Sequence, residues 1–239
     1  MSDLQAQLVE MMSGTWEDLH PALRAWVHET KIGLMIRHPF CYTPIGPNGE
    51  MSETANRFYK QKISCRREYL NERDWLSYLS AWERPFRMTA LTKLWHRSRI
   101  SLDELRELLA FAWVDTEMPQ VNQSDPLQLF REAGFTTDNP QEWERISKLP
   151  ELQLYRGVDY EFELTADGPS WTFDLQVAKF FAYRGGSKGD VFSYVAHPSE
   201  ALAYFGGRDE SEIILDFANA GDSEQIVRLT KKQIREPIS

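Results

Sequence analysis

The chain has 239 residues, of which 42% are apolar or aromatic and 26% are charged, and its formal net charge is −9. This apolar content is too high, and the charge too mixed, for a disordered chain. No apolar run approaches the ~18 residues that span a bilayer, and the segment MSDLQAQLVE lacks the basic and apolar parts of a secretory signal. We therefore expect a cytoplasmic protein, in its own cell or in a host cell that receives it, with no membrane partner.

Residue types that bind metals or form disulfides are sparse. Cys41 and Cys65 are too few for a disulfide framework, which agrees with a reducing compartment. The histidines, at positions 20, 28, 38, 96 and 197, lack the spacing of metal ligands, and the sequence contains no P-loop and no G-x-G-x-x-G. We expect a site without metal.

The first 150 residues are predicted to be helical. Apolar residues recur with helical spacing near residues 4–12, 19–27 and 75–82, whereas three prolines and Asn48-Gly49 predict a loop at about 38–50. Ser101 and Glu104 form a capping box, and Asn139-Pro140 is typical of a helix start. The tryptophans of this region are predicted to serve mainly as core, and also as acceptor surface; they are Trp16, Trp26, Trp75, Trp82, Trp95, Trp113 and Trp143.

One stretch of this region differs in charge from the rest of the chain. Residues 57–99 contain 11 basic and 4 acidic residues, a net charge of +7, interleaved with aromatic rings. Such a pattern is typical of nucleic-acid binding, where cations contact phosphates and rings stack on bases. It is also typical of an amphipathic helix pair with its rings in the core, which the helical spacing of most rings favours.

After Pro150 the pattern changes to short apolar strands. Strands are predicted at 191–196, 201–205 and 212–217, with a weaker strand at 225–229 and one helix at 174–183. The predicted fold class is therefore α+β. A helical region of residues 1–150, for acceptor recognition or other interactions, precedes a small mixed α/β domain of residues 151–239.

Three short features in this second region carry candidate chemistry. Arg156-Gly157 ends a strand, where arginine offers a planar fork for phosphate and glycine lets a ligand approach the backbone. Ser170-Trp171-Thr172 precedes the helix, and Glu210-Ser211-Glu212 runs into an apolar strand. Residues i and i+2 of an extended chain point to the same side, so the two glutamates would face one cleft and could divide acid, base and electrostatic roles.

Taken in this order, the three features resemble the R-S-E class of ADP-ribosyltransferases, the cholera-toxin-like clade. In that family a strand-end Arg, a Ser-Thr-Ser-like motif and a Glu-x-Glu follow one another; here Trp171 stands at the middle position of the second motif. The resemblance covers about residues 151–217 and implies a split sheet. Thirteen residues separate Arg156 from Ser170, fewer than in many members, so a helix between these motifs would be missing or reduced.

The resemblance implies NAD as co-substrate, cleaved between nicotinamide and ribose, with ADP-ribose passed to an acceptor. Glu212 would accept a hydrogen bond from the ribose and stabilise the developing positive charge, as in glycoside cleavage. Glu210 would position or deprotonate the acceptor. It lies at the start of a strand, directly after a predicted turn at 206–209. Ser170 would orient Glu212, and Thr172 would support the site. Arg156 would bind a phosphate of NAD, and the Gly157 backbone would contact the nicotinamide amide.

A ring stacked on nicotinamide would come from Trp171, Phe180 or Phe181. Helical spacing predicts that Phe181 lies in the core instead of the site. Arg184, one turn further along the helix, is a second phosphate candidate, although a solvated arginine is the commoner finding.

Several alternatives stay open at this point. A glutamate at position 210 resembles members that modify arginine side chains of proteins, whereas the basic stretch 57–99 indicates a nucleic-acid acceptor. With water as acceptor the same site would be an NAD glycohydrolase, and without catalysis the chain would be a binding or structural protein. A toxin, for which an antitoxin partner is expected, a defence effector and a phage-encoded modifier are all compatible with the sequence.

Overall fold

The computed structural model describes residues 12–31, 33–116, 127–160, 166–184, 188–207, 210–217, 225–230 and 233. The chain forms two compact units: Met1–Ile100 with Asp115–Gln123, and Ser101–Val114 with Ser124–Ser239. This division differs from the predicted boundary at residue 150, since residues 101–114 and 124–150 lie in the second unit. Ring contacts hold them there: Trp113 packs on Phe130, and Phe130 packs on Phe205.

The first unit contains a sheet where none was predicted. Its elements are α1 (Pro21–Arg24), β1 (Val27–Thr30), β2 (Gly33–His38), β3 (Cys41–Ile45), α2 (Ser52–Glu72), α3 (Trp75–Ala81), a 3₁₀ turn (Arg84–Phe86) and α4 (Arg87–His96). The strands form an antiparallel meander, β1-β2-β3. The predicted loop at 38–50 is thus wrong over β3. Pro44 lies in that edge strand, where a missing N–H breaks no inner ladder, and His38 pairs with Cys41 across a tight hairpin.

The helical spacing predicted near residues 75–82 is confirmed in α3, which follows directly after the long helix α2. Arg73 ends α2 in the left-handed conformation, with φ of 59°. Asp74 then begins α3 by accepting a hydrogen bond from the Ser77 N–H at 3.1 Å. The predicted apolar face of this region is confirmed as buried; it consists of Trp75, Tyr78, Leu79 and Trp82.

The second unit contains the remaining elements. They are α5 (Leu102–Val114), α6 (Gln128–Ala133), β4 (Thr136–Thr137), α7 (Pro140–Ile146), β5 (Leu152–Asp159), β6 (Ser170–Thr172), α8 (Leu175–Tyr183), β7 (Gly189–Ala196), a 3₁₀ turn (Pro198–Glu200), β8 (Ala201–Phe205), β9 (Glu212–Leu215) and β10 (Val227–Arg228). The predicted helix starts are confirmed. Ser101 and Glu104 exchange both capping bonds, and Asn139 caps α7.

One sheet organises the second unit, with the strand order β10-β7-β5-β6-β9-β8-β4. Neighbouring strands are antiparallel, apart from β4 and β8, which are parallel. β5 and β6 are joined by a single register pair, Tyr155 with Thr172. Apolar clusters cover both faces: one includes Leu154 and Trp171, and the other packs Tyr155 under α8.

The described chain is thus a mixed α and β protein with two sheets. This confirms the predicted fold class at the level of α+β. Within the described residues, none of the helices has the length and apolarity needed to cross a membrane. The apolar stripe predicted near residues 4–12 lies almost wholly outside the described residues.

Candidate active site

Glu212 is held by two hydrogen bonds at the start of β9. β9 pairs with β6 so that Glu212 lies opposite Thr172, and Ser170, two residues earlier on β6, lies on the same face. The Ser170 hydroxyl donates to Oε1 of Glu212. The indole Nε1 of Trp113 donates to the same oxygen at 3.1 Å. Both bonds end on Oε1, so among the described residues Oε2 remains available for an additional donor.

Trp113 is the site residue that sequence reasoning missed. It was predicted as core or acceptor surface of the N-terminal region, and the structure places its indole on Glu212 from α5. Its ring packs edge-on against Phe130, with centroids 5.1 Å apart. A separation of 99 residues from Glu212 leaves no local pattern from which this contact could be read.

The pKa of Glu212 is raised above its ordinary value. Burial is the largest cause, and the negative charge of Glu210 adds to it. The hydrogen bonds from Ser170 and Trp113 and the positive charge of Arg156 act in the opposite direction without cancelling the effect of burial. A carboxylate in such a poorly solvated place interacts strongly with any positive charge that forms beside it.

Arg156 is a buried arginine that forms a hydrogen bond with the start of β6. Its Nη1 donates to the Ser170 carbonyl oxygen at 2.7 Å. Gly168 makes room for the guanidinium, because a Cβ there would overlap Nη2 of Arg156. Ser170 therefore connects the other two residues of the motif, accepting from Arg156 through its backbone and donating to Glu212 through its side chain. The phosphate-binding role of Arg156 stays a prediction.

Glu210 lies before the start of β9, and a bend in the backbone separates it from the strand. Ser211 has φ of 45°, in the left-handed region, so 210–212 is not extended and the predicted same-side alternation is wrong. The Thr172 hydroxyl donates to the Glu210 carbonyl oxygen at 2.5 Å and holds this bend against β6. The supporting role of Thr172 in a catalytic site stays a prediction. The charge of Glu210 still acts on Glu212.

Trp171 lies in the core, which corrects its assignment as a ring of the site. Its side chain is 1% exposed and packs against the rings of Tyr194 and Phe217. Its indole donates to the Gly168 carbonyl oxygen at 2.9 Å. The cause is strand alternation, because consecutive residues of β6 point to opposite faces and Ser170 takes the face of Glu212.

Gly157 has a packing role. A Cβ at this position would overlap the Ala178 carbonyl oxygen of α8, so the absence of a side chain lets the helix approach β5. Backbone contact of Gly157 with nicotinamide stays a prediction.

The aromatic residues of α8 form an exposed surface. Phe180 is 64% exposed and meets the half-buried Phe181 edge-on, with centroids 5.5 Å apart. The inward face of α8 is instead formed by Leu175, Ala178 and Ala182, so the core position predicted for Phe181 is wrong. Arg184 is exposed, and its guanidinium lies 4.8 Å from the centre of the Phe181 ring.

No group of three or more potential metal-ligating His, Cys, Asp and Glu side chains occurs in the described parts of the chain. The predicted turn at 206–209 is described only to Gly207, since residues 208 and 209 lie outside the described residues. No protein-family profile, curated protein or solved structure matches this chain.

Proposed function

We propose that the protein is a mono-ADP-ribosyltransferase that cleaves NAD at the nicotinamide–ribose bond and passes ADP-ribose to a macromolecular acceptor. The observation that carries the proposal is the fixed carboxylate of Glu212. Ser170 and Trp113 orient it through Oε1, and Oε2 remains for the substrate. A preorganised charge of this kind is what a reaction with a developing cation requires.

The proposed reaction resembles glycoside cleavage. The bond between ribose C1′ and the nicotinamide nitrogen breaks, and its electron pair leaves with nicotinamide. Positive charge then develops on the ribose, where Oε2 of Glu212 stabilises it and accepts a hydrogen bond from a ribose hydroxyl. Because burial dominates the environment of Glu212, little solvent screening weakens this interaction.

Transfer is completed by an acceptor nucleophile that donates an electron pair to C1′ and gives up a proton. Glu210, held by Thr172 at the entry of β9, is the proposed group that positions the acceptor and takes this proton. An arginine side chain of a protein or a group on a nucleic acid would fill this role.

The strand arrangement supports a split sheet as the NAD cleft. β5 and β6 share one register pair, and the Arg156 side chain of β5 donates a hydrogen bond to the Ser170 carbonyl oxygen at the start of β6. In the proposed cleft Arg156 contacts a phosphate of NAD, while Phe180 or Phe181 supplies the ring beside nicotinamide.

The test is incubation of the full chain with NAD labelled in its adenylate part, followed by separation of protein, RNA, DNA and small-molecule pools. Wild-type protein is expected to label one macromolecular pool. Glu212→Gln is expected to lose cleavage by about two to three orders of magnitude, and Glu210→Gln to release free ADP-ribose without transfer. Glu151→Gln, at an exposed position, is the matched control.

Other outcomes of this experiment would distinguish the alternative functions. Label in free ADP-ribose alone, for the wild type, would show a glycohydrolase with water as acceptor. Absence of both NAD cleavage and NAD binding by calorimetry would refute the proposal and favour a non-enzymatic binding protein. Wild-type turnover of Glu212→Gln would refute the site assignment.

A further inference from the structure

Several cations of the first unit have no acidic partner among the residues that the structure describes. In residues 57–99, Lys62 pairs with Glu83 at 2.6 Å, and Arg84 and Arg87 pair with Asp115. Within the described chain no carboxylate forms an ion pair with six further cations, namely Lys60, Arg66, Arg67, Lys93, Arg97 and Arg99. Most of the positive charge of this stretch is therefore not neutralised.

Two of these cations, Arg66 and Lys93, lie against two touching rings. Lys93 Nζ lies 4.8 Å from the centre of the Trp82 ring, and Arg66 Cζ lies 5.1 Å from the centre of the Phe40 ring. The two ring centres are 4.6 Å apart. Arg97 follows Lys93 by four residues and is the residue that caps the C-terminus of α4. Arg66, Lys93 and Arg97 form the basic cluster.

The members of the basic cluster act on one another. Burial lowers the pKa of Lys93, and the positive charges of Arg97 and Arg66 lower it further. Arg66 and Arg97 also both act on the hydroxyl of Tyr78, whose pKa burial raises. Nε of Arg66 is a buried donor for which the described residues supply no acceptor. Like charges held together raise the free energy of the protein, and a bound anion would relieve this repulsion.

We propose that the basic cluster binds the phosphodiester backbone of a nucleic acid. Phosphate oxygens match the charge of the cluster and the planar donors of its two arginines. A polymer fits better than a single phosphate, because the exposed positive charge continues past the cluster to Arg99, three residues beyond the end of α4. This binding does not depend on NAD chemistry, so it is measured without NAD.

The experiment is fluorescence anisotropy of the full chain with labelled oligonucleotides of about 20 nucleotides, longer than one typical binding site. Single-stranded RNA, single-stranded DNA and duplex DNA of one sequence are compared with a labelled poly-glutamate peptide. The test variant is Lys93→Gln/Arg97→Gln. The matched control, Lys60→Gln/Arg67→Gln, removes the same charge from exposed positions of α2. A third variant, Lys93→Arg/Arg97→Lys, retains the charge.

We expect the test variant to weaken binding of at least one oligonucleotide by on the order of tenfold. We also expect its salt dependence to fall by about 1.5 in log–log slope, because each phosphate contact contributes ~0.7–0.9. The matched control and the charge-retaining variant should bind nearly as the wild type does. The oligonucleotide that loses most affinity identifies the polymer.

Three outcomes would overturn the proposal: no oligonucleotide binds, both glutamine variants lose affinity equally, or the peptide binds as tightly as the oligonucleotides. Thermal melting of every variant checks the fold. If the test variant melts at a lower temperature than the wild type, the charge-retaining variant serves as the test instead. Loss of oligonucleotide binding in that variant would also refute the proposal.

Discussion

The indole Nε1 of Trp113 donates to Oε1 of Glu212 at 3.1 Å, which links a helix near the middle of the chain to the first residue of β9. The same carboxylate oxygen accepts the Ser170 hydroxyl. Because both donors come from regular secondary structure, α5 and β6, the protein itself fixes the orientation of Glu212.

Trp113→Phe should impair catalysis while leaving the fold intact. The change keeps a ring against Phe130 and removes the N–H donor to Glu212. Loss of a hydrogen bond to a charged group should lower kcat for NAD cleavage by about tenfold. Since that bond lowers the pKa of Glu212, the acid limb of the pH–rate profile should move to higher pH.

The control is Trp143→Phe, whose ring stacks on Phe135 in the same unit. Its profile should match that of the wild type. An unchanged acid limb in the Trp113→Phe variant would argue against a positioning role for the indole.

Glu212→Gln should stabilise the protein at neutral pH. The pKa of Glu212 is raised in the folded state, mainly by burial, so the folded protein holds this proton more tightly than the unfolded chain. The stability that protonated Glu212 contributes is present at acidic pH and is lost as the pH rises through its folded pKa. Glutamine stays neutral and retains an acceptor for Ser170 and Trp113.

Chemical denaturation at several pH values measures this effect. The free energy of unfolding of Glu212→Gln should exceed that of the wild type at neutral pH, and the gap should close below the ordinary carboxyl pKa of about 4. The exposed control Glu151→Gln should show no such gap. A less stable Glu212→Gln at neutral pH would contradict the assignment of a desolvated carboxylate.

Gly157→Ala should destabilise the second unit. Its new Cβ would overlap the Ala178 carbonyl oxygen, and backbone cannot move aside as a flexible side chain can. We expect a loss of about 1–3 kcal/mol from overpacking, seen as a lower melting temperature. Gly189→Ala, which would press on the Ala182 carbonyl oxygen, should behave alike. Gln153→Ala, at an exposed position of β5, should leave the melting temperature unchanged. Equal melting temperatures for the wild type and these three variants would refute close packing of α8.

Asp138 should control transfer rather than cleavage. Its two carboxylate oxygens accept the N–H groups of Gly206 at 2.8 Å and Gly207 at 3.2 Å, in the turn that leads towards Glu210. Asp138→Ala frees this turn, so we expect less ADP-ribose on the acceptor with NAD cleavage retained. The ratio of transferred to free ADP-ribose measures this, with Glu144→Gln as an exposed control. A fall in both products together would point to a general structural role.

His38 should make the first unit sensitive to acid. Burial, with the charge of His20 as a smaller cause, lowers the pKa of His38 to about 4. The folded state therefore favours neutral His38, and its contribution to stability is present above the ordinary histidine pKa and lost as the pH falls from about 6.5 towards 4.

His38→Asn tests this, because the amide oxygen can replace Nδ1 as acceptor for the Phe40 N–H. Its free energy of unfolding should fall less steeply over this pH range than that of the wild type. His28→Asn, at an exposed position of β1, should follow the wild type. Parallel curves for His38→Asn and wild type would exclude His38 as the cause.

Local signals predicted much of the second unit correctly. The caps at Ser101 and Asn139 depend on one side chain and a nearby N–H, so the sequence contains all that is needed. The short strands at 191–196 and 201–205 are confirmed within β7 and β8. Prediction failed where partners are distant: Pro44 is acceptable only because β3 is an edge strand, and the ring of Trp171 turned into the core.

The sequence by itself determined which residue types could form a site in the second unit: the arginine, the serine and the two glutamates, in an order resembling the R-S-E motif. Tertiary structure alone decided their geometry. The register of β6 with β9 brings Ser170 to Glu212, the bend at Ser211 separates Glu210 from the strand, and folding adds Trp113. The physical reason is that strand register and helix packing join residues far apart in the chain, and no local pattern encodes such contacts.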